Sequence, residues 1–145
     1  MFRGFATLNY YADDLAAAKE WYARLFEVEA YFAYPAAPAA PAYVEFRIGD
    51  DADEIGFIDR RYAPQAASDQ PGGAIMHWHV DDLPGTLARL LELGATLHQP
   101  IVEHGDGSGF ATASVVDPFG NLVGIMHNPH YLEVQAERQR VAVPA

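Results

Sequence analysis

The sequence predicts an α+β fold in which one βαβββ module is followed by a second. Two segments, beginning at Thr7 and Ile75, run in the same order from a strand-like stretch through an Asp-Asp pair into an amphipathic stretch. They begin 68 residues apart, close to half of the 145-residue chain, and three further strand-like runs follow each of them. A chain of this length is typical of one domain, so we expect residues 1–145 to form a single domain.

The first two elements of each module are a strand and a helix. The pairs Asp13-Asp14 and Asp81-Asp82 suit helix N-termini, because carboxylate oxygens accept hydrogen bonds from the free amides of the first turn. Gly94 is a suitable end for the second helix. The apolar stripes expected to face the core are Leu15, Ala18, Tyr22 and Leu25 in the first helix, and Leu83, Leu87, Leu90 and Leu91 in the second.

The remaining strands follow the helices in order. They are predicted at residues 30–34, 43–48 and 54–59 in the first module, and at residues 96–98, 110–116 and 122–126 in the second. Turn-forming residues 117–121, Asp-Pro-Phe-Gly-Asn, join the last two strands. The predicted boundaries are module one at about 5–60, a linker at about 61–73, module two at about 74–128, and a polar C-terminal tail at 129–145.

The composition narrows the functional classes. The chain contains no cysteine, which excludes disulfides, thiolate metal sites and a cysteine nucleophile. Its formal net charge of −11 disfavours nucleic acid as a partner. The same charge would attract a cationic small molecule, or it serves solubility alone. Neither a secretory leader nor an apolar run of membrane-spanning length is found, so we expect a cytoplasmic protein without a membrane partner.

The order βαβββ–βαβββ, the Val-Asp-Asp-Leu segment at residues 80–83 and the Asp-Pro-Phe-Gly-Asn segment at residues 117–121 together resemble the vicinal oxygen chelate superfamily. This superfamily includes glyoxalases, bleomycin-resistance proteins and dioxygenases. The resemblance covers residues 5–128. It implies that each module curls into a half-barrel, that the pair encloses a ligand cleft, and that the protein is a homodimer.

The resemblance also assigns four positions to the metal ligands of metal-dependent members, which are usually His, Gln or Glu. Counted from the two motifs, these positions are occupied here by Thr7, Phe57, Ile75 and Gly124, with the register at Phe57 open by a residue or two. Isoleucine, phenylalanine and glycine side chains have no donor atom for a divalent metal, and threonine is a poor donor. We therefore expect no metal at the family's site and no cofactor.

Four polar side chains are the candidates for contacting a ligand in the cleft. His77 and His79 share one face of a strand with Ile75, because side chains two residues apart point the same way. Asn9 and Tyr11 are their counterparts beside Thr7. The histidines are alternatively structural, or form a displaced metal site with a third ligand from Glu45, Glu54 or Asp59. Asn9 and Tyr11 alternatively form hydrogen bonds within the sheet.

The functional expectation is a metal-independent protein that binds a small cationic or aromatic molecule. The alternative is a lyase, isomerase or dioxygenase that uses either a displaced metal site or acid–base chemistry by His77 and His79. Convergence of the two histidines with a carboxylate would distinguish the two classes. No serine lies in a nucleophile-elbow context, which disfavours covalent serine catalysis.

Overall fold

A computed structural model describes residues 6–64, 70, 74–105 and 107–142 of the chain. The chain divides into two compact units, each with its own four-stranded sheet. The first unit comprises Met1–Pro71 together with Phe119–Asn121, and the second comprises Gly72–Pro118 and Leu122–Ala145. The α+β prediction of two βαβββ modules is confirmed, whereas the assignment of residues 1–145 to one domain stays a prediction.

The first unit contains one helix and one mixed sheet. Its elements are β1 (Thr7–Ala12), α1 (Leu15–Phe26), β2 (Phe32–Tyr34), β3 (Tyr43–Ile48), β4 (Asp53–Asp59) and a 3-10 turn (Arg60–Tyr62). The strand order is β1-β4-β3-β2, in which β1 runs parallel to β4 and the other pairs are antiparallel. The first and last strands of the module therefore lie side by side at one end of the sheet.

An aromatic core fixes α1 on one face of this sheet. Tyr22 is fully buried, and its ring lies 4.1 Å from that of Phe57 between centroids. Trp21 packs edge-on against Tyr22 at 4.7 Å, and Phe46 packs edge-on against Phe57 at 5.9 Å. Aromatic side chains bury large apolar areas, so this face of the sheet is closed to solvent and any polar site of the unit lies on the other face.

The second unit repeats the arrangement and ends in an additional helix. Its elements are β5 (Met76–His79), α2 (Leu83–Glu92), β6 (Thr96–Glu103), β7 (Ala111–Val116), β8 (Leu122–His127) and α3 (Pro129–Ala142). The strand order is β5-β8-β7-β6, again with the first and last strands parallel. The β6·β7 pairing shifts register twice, next to Gln99, so β6 is irregular.

Both helix starts were predicted correctly. The Asp14 side chain accepts a hydrogen bond from the backbone N–H of Ala17, and Asp82 accepts one from Gly85, each at 2.9 Å. The predicted end of α2 is also confirmed, because Gly94 follows the helix with φ +97°. These features depend only on neighbouring residues, which is why sequence patterns reveal them.

Several predicted elements differ from the structure. The predicted strand at 96–98 continues to Glu103, and the predicted strand at 30–34 is shortened to Phe32–Tyr34. Leu91, assigned to the buried stripe of α2, is 39% exposed. Residues 129–142 of the polar tail form α3. Residues 65–69 and 71–73 of the predicted linker lie outside the described part of the chain.

Among the described residues, no helix is long and apolar enough to cross a membrane.

Candidate functional site

One row of four residues crosses the first sheet on the face opposite α1. The strand pairings place Asn9 of β1 beside Gly56 of β4, Gly56 beside Glu45 of β3, and Glu45 beside Phe32 of β2. Paired residues of neighbouring strands point to the same face, so these four positions form a continuous line. A buried carboxylate, Glu45, is at its centre and is 9% exposed.

Two tyrosine hydroxyls and one threonine surround the Glu45 carboxylate. Tyr43 donates a hydrogen bond to Oε1 at 2.7 Å, and Tyr31 donates one to Oε2 at 2.6 Å. Thr7 lies farther away, with Oγ1 3.5 Å from Oε1. Hydrogen bonds from hydroxyls offset part of the cost of burying a charged carboxylate, so this arrangement accounts for a glutamate in the middle of a sheet.

A second carboxylate shares one of these tyrosines. The hydroxyl oxygen of Tyr31 lies 3.0 Å from Oε1 of Glu54. Glu54 Oε1 also accepts hydrogen bonds from Nε and Nη2 of Arg47, at 3.0 and 2.9 Å. The Arg47 guanidinium also lies over the Tyr31 ring, 4.0 Å from its centroid. Two glutamates, two tyrosines and one arginine thus form a single polar cluster, which we call the Glu45 cluster.

The electrostatics of the Glu45 cluster follow from these contacts. The hydrogen bond to Glu45 raises the pKa of Tyr31 from 10.0 to about 12, because ionising the phenol would set a second negative charge beside the carboxylate. Burial and the Glu45 hydrogen bond raise the pKa of Tyr43 as well. The Arg47 and Tyr31 hydrogen bonds lower the pKa of Glu54 below 4.5.

The space above Gly56 is filled by its neighbours. A Cβ atom built at this position would collide with Oδ1 of Asn9 and with the hydroxyl oxygen of Tyr43. The offset of 68 residues that relates Asn9 to His77 also relates Gly56 to Gly124, and the pairs Asn9–Gly56 and His77–Gly124 are equivalent in the two sheets. The counterpart of Gly124 is therefore Gly56.

This pairing corrects the predicted position at Phe57. Adjacent residues of a strand point to opposite faces, and Phe57 points into the aromatic core beneath the sheet. With the corrected register, the resemblance assigns the family's metal-ligand positions to Thr7, Gly56, Ile75 and Gly124. These residues do not fit a divalent metal, because three of them have no side-chain donor and Asn9 and Tyr43 already fill the space at Gly56.

The second sheet has an equivalent row with different chemistry. His77 of β5 lies beside Gly124 of β8, Gly124 lies beside Ser114 of β7, and Ser114 lies beside Gln99 of β6. Ser114 is 1% exposed and is hydrogen-bonded to Nδ1 of His98 at 2.9 Å. The residue that corresponds to Glu45 in this row is therefore a serine, and the row lacks the carboxylate of the first unit.

The two histidines of β5 have different surroundings. His77 leans over Gly124, where a Cβ would lie 2.7 Å from Cδ2 of the imidazole. His79, in contrast, has a side chain only 9% exposed, and its ring stacks on Tyr131 of α3 at 4.7 Å. Among the described residues no group of three or more His, Asp or Glu side chains could hold a metal ion.

The other predicted candidates are distributed as follows. Asn9 is exposed and belongs to the row through Glu45. Tyr11 is half-buried, and its backbone N–H and C=O are both hydrogen-bonded to the Asn121 side chain, at 3.3 and 3.0 Å. Asp59 is paired with Arg61, its Oδ2 lying 2.6 Å from Nη2. Asp59 therefore stabilises the 3-10 turn after β4 and is not part of the Glu45 cluster.

Sequence reasoning named Glu45 only as a possible third metal ligand and did not foresee its cluster. One signal was available, because Tyr43, Glu45 and Arg47 alternate along β3 and therefore share one face. The contributions of Tyr31 and Glu54 could not be foreseen. Tyr31 precedes β2, and only the pairing of β3 with β4 brings Glu54 next to Arg47.

Comparison with known proteins identifies a family. A family model described as the Glyoxalase/Bleomycin resistance protein/Dioxygenase superfamily matches residues 4–125. No curated protein sequence matches the chain significantly.

Solved structures with this fold come from several bacteria. A glyoxalase-related enzyme from Fulvimarina pelagi is 18% identical and aligns over 88% of this chain and 90% of its own, with a TM-score of 0.65. TioX from Micromonospora sp. ML1 is 18% identical over 86% of this chain and 98% of its own, with a TM-score of 0.62. A glyoxalase/bleomycin resistance protein from Catenulispora acidiphila is 20% identical over 85% of this chain and 96% of its own, with a TM-score of 0.57. At such identities the similarity shows the fold alone.

Proposed function

This chain belongs to the glyoxalase/bleomycin resistance protein/dioxygenase superfamily, and we propose that it is a metal-independent binding protein for a small molecule with a cationic hydrogen-bond donor. The observation that carries the proposal is the buried Glu45 carboxylate, held by two tyrosine hydroxyls on the face of the sheet opposite α1. Fold alone does not assign a function within this superfamily, so the class of ligand is inferred from the Glu45 cluster.

The hydrogen count of the cluster favours a donor from outside it. The Tyr31 hydroxyl has one hydrogen, and the shorter contact, at 2.6 Å, directs this hydrogen to Glu45. The 3.0 Å contact between the same hydroxyl and Glu54 Oε1 shares that one hydrogen and is the weaker of the two. An ammonium or amidinium group beside the Tyr31 hydroxyl oxygen and the Glu45 carboxylate would supply further hydrogens, next to a cluster that holds two carboxylates and one guanidinium.

The surroundings of the cluster suit a ligand with a flat apolar part. Phe32, the neighbour of Glu45 in the row, is 45% exposed, and so is Tyr31. Ligand sites commonly combine such aromatic surface with a few polar groups that set the orientation. The net charge of −11 adds a long-range attraction for cations.

Metal independence is supported by the chemistry of the residues at the family's ligand positions. Thr7, Gly56, Ile75 and Gly124 offer one weak donor among them. The alternative, a lyase, isomerase or dioxygenase with a displaced metal or a His77/His79 pair, has weaker support because His79 is packed against α3. His77, which is half-buried beside Gly124, is the histidine that this alternative would use for acid–base chemistry.

Binding of the benzylammonium ion, with benzyl alcohol as its neutral counterpart, tests the proposal by isothermal titration calorimetry. We expect the cation to bind more tightly than the alcohol, and we expect Glu45→Gln to weaken it by about tenfold or more, since a lost charged hydrogen bond costs about 1.5–3 kcal/mol. Glu20→Gln, an exposed change on α1, is the matched control and leaves the affinity unchanged.

Two further measurements complete the test. Treatment with a chelator leaves binding intact if the site is metal-independent. In alkaline titration of tyrosine absorbance, Glu45→Gln moves the pKa of Tyr31 from about 12 back toward 10.0, which shows that the variant has lost the charge and kept the fold. Equal affinity for the cation and the alcohol, or equal affinity of the Glu45→Gln variant, would contradict the proposal.

The homodimer and the cytoplasmic location are also proposals, and they rest on resemblance and composition. Sedimentation equilibrium checks the first, with a mass of twice 15.9 kDa expected.

A further inference from the structure

His79 connects the end of β5 to the beginning of α3. Its Nδ1 atom accepts a hydrogen bond from the backbone N–H of Asn128 at 3.1 Å, and its ring stacks on Tyr131 with a 4.7 Å centroid distance and a 20° interplanar angle. Asn128 immediately precedes α3, and Tyr131 lies in its first turn. The imidazole therefore contacts both the chain leading into the helix and the helix itself.

The contact with Asn128 specifies the protonation state of the ring. A backbone N–H can only donate, so Nδ1 must carry no hydrogen while this bond exists. Protonation of a neutral imidazole adds a hydrogen to the nitrogen that lacked one. In His79 that hydrogen would point at the N–H of Asn128, and the bond would be replaced by repulsion between two donors.

We propose that His79 is a proton-operated latch that holds α3 on the second unit when the imidazole is neutral and releases it when the imidazole is protonated. The proposal is independent of the ligand assigned to the Glu45 cluster. It gives a structural role to a residue for which the sequence had left ligand contact, a structural role and metal binding open.

Most of the described side chains of α3 are exposed or half-buried. Among the side chains of this helix that the structure describes, Gln135 is the buried one, at 9% exposure, and its Nε2 donates to the Tyr131 hydroxyl at 3.3 Å. Leu132 and Val141 are 43% and 86% exposed. Because little apolar surface of the described part of α3 is buried, we expect the loss of the hydrogen-bonded and stacked contact at its start to have a large effect on docking.

The charged and titratable groups around His79 have opposing effects. Asp81 Oδ1 lies 3.8 Å from Nε2 of His79 and favours the protonated ring, but its side chain is 98% exposed and its charge is screened by water. The ring of His127 lies 5.5 Å away, and its Nδ1 donates to the carbonyl of Gly109 at 2.9 Å in either charge state. A protonated His127 therefore keeps its own bond and repels a protonated His79.

The sign of the pH dependence follows from linkage. The docked state requires the neutral ring, so protons bind preferentially to the undocked state, and docking weakens as the pH falls. The transition begins near the ordinary midpoint of imidazole titration, about pH 6.5. Docking is complete above this range and is progressively lost below it.

Hydrogen exchange of the α3 amides in the intact protein tests the latch, with the α2 amides of the same sample as the reference for intrinsic exchange. We expect the protection of α3 relative to α2 to fall about tenfold between about pH 7.5 and about pH 5.5, as expected for one proton binding near pH 6.5. In His79→Asn, Oδ1 replaces Nδ1 as an acceptor that does not titrate, so the protection of α3 becomes independent of pH.

His130→Asn is the matched control, because His130 is another imidazole of α3 but is 79% exposed and pairs only loosely with Glu133, at 3.5 Å. This variant keeps the pH response of the unmodified protein. An unchanged pH response in His79→Asn, or no response in the unmodified protein, overturns the proposal. If His79→Asn does not fold, the imidazole ¹⁵N chemical shifts of the unmodified protein show which ring nitrogen of His79 carries hydrogen. A hydrogen on Nδ1 of His79 at neutral pH refutes the proposal.

Discussion

At the scale of single residues, Gly56 and Gly124 show how a missing side chain shapes the packing on one face of each sheet. Gly56 is buried beneath Asn9 and Tyr43, and Gly124 lies beneath Ile75 and His77. In each sheet the missing side chain leaves room for a side chain of the first strand to lean across the neighbouring strand. The absence of a side chain at these positions is therefore coupled to the packing of the residues that occupy the face.

Gly56→Ala tests this packing. The added methyl would overlap Asn9 Oδ1 and the Tyr43 hydroxyl, so we expect the free energy of unfolding to fall by about 1–3 kcal/mol, as for an overpacked core position. Urea unfolding measures the change. Adding Asn9→Ala restores part of the loss if the clash is with Asn9, whereas strictly additive effects in this double-mutant cycle would disprove the coupling.

At the scale of the elements, α1 and α2 each begin directly after a pair of aspartates. Only the second aspartate of each pair is the N-cap. Asp14 and Asp82 each accept a hydrogen bond from the backbone three residues ahead. Asp13 instead forms an ion pair with Arg60, 3.2 Å from Oδ1 to Nε, on a side chain that is 82% exposed. The motif thus combines a helix cap with a solvent-exposed charge.

Asp14→Ala and Asp13→Ala separate the two roles. Loss of the cap in Asp14→Ala lowers the free energy of unfolding by about 1 kcal/mol. Loss of the exposed ion pair in Asp13→Ala costs less than about 0.5 kcal/mol, because water screens it. Thermal or urea unfolding of the two variants is the measurement, and an equal loss in both would show that the assignment of the cap is wrong.

At the scale of the whole molecule, some of the acidic side chains form ion pairs with arginines of the same chain. Hydrogen bonds from Arg61 lower the pKa of Asp59 below 3.8, and those from Arg47 and Tyr31 lower the pKa of Glu54 below 4.5. A carboxyl group with a lowered pKa binds protons more weakly in the folded than in the unfolded state. Its contribution to stability is therefore present above its unfolded pKa and is lost as the pH falls through the folded pKa.

We accordingly expect the free energy of unfolding to decline as the pH falls below 4.5, the ordinary value for glutamate, and to decline further below 3.8. Asp59→Asn removes one of the groups responsible, so this variant is less stable near neutrality and shows a shallower decline in acid. Urea unfolding at a series of pH values provides the comparison. Parallel curves for the two proteins would exclude Asp59 as a source of the acid sensitivity.

The fold could be predicted from the sequence, because it depends on local features. The repeat, the caps at Asp14 and Asp82 and the apolar periodicities need only neighbouring residues. The expectation of no metal at the family's site also rests on residue types alone, since a side chain without a donor atom cannot ligate a metal. Counting along the chain also gave Gly124 as one of the positions that the resemblance assigns to metal ligands. The same counting placed its counterpart one residue away, at Phe57, because only strand pairing sets the register.

Tertiary structure decided which side chains meet. The Glu45 cluster joins Tyr31, Arg47 and Glu54 through the pairing of β3 with β2 and β4, which no pattern within one strand contains. Likewise, the parity of β5 predicted one face for His77 and His79, but α3 formed from the supposed tail and covered His79. Periodicity specifies the direction of a side chain from its own backbone, whereas its function depends on which distant segment packs against it.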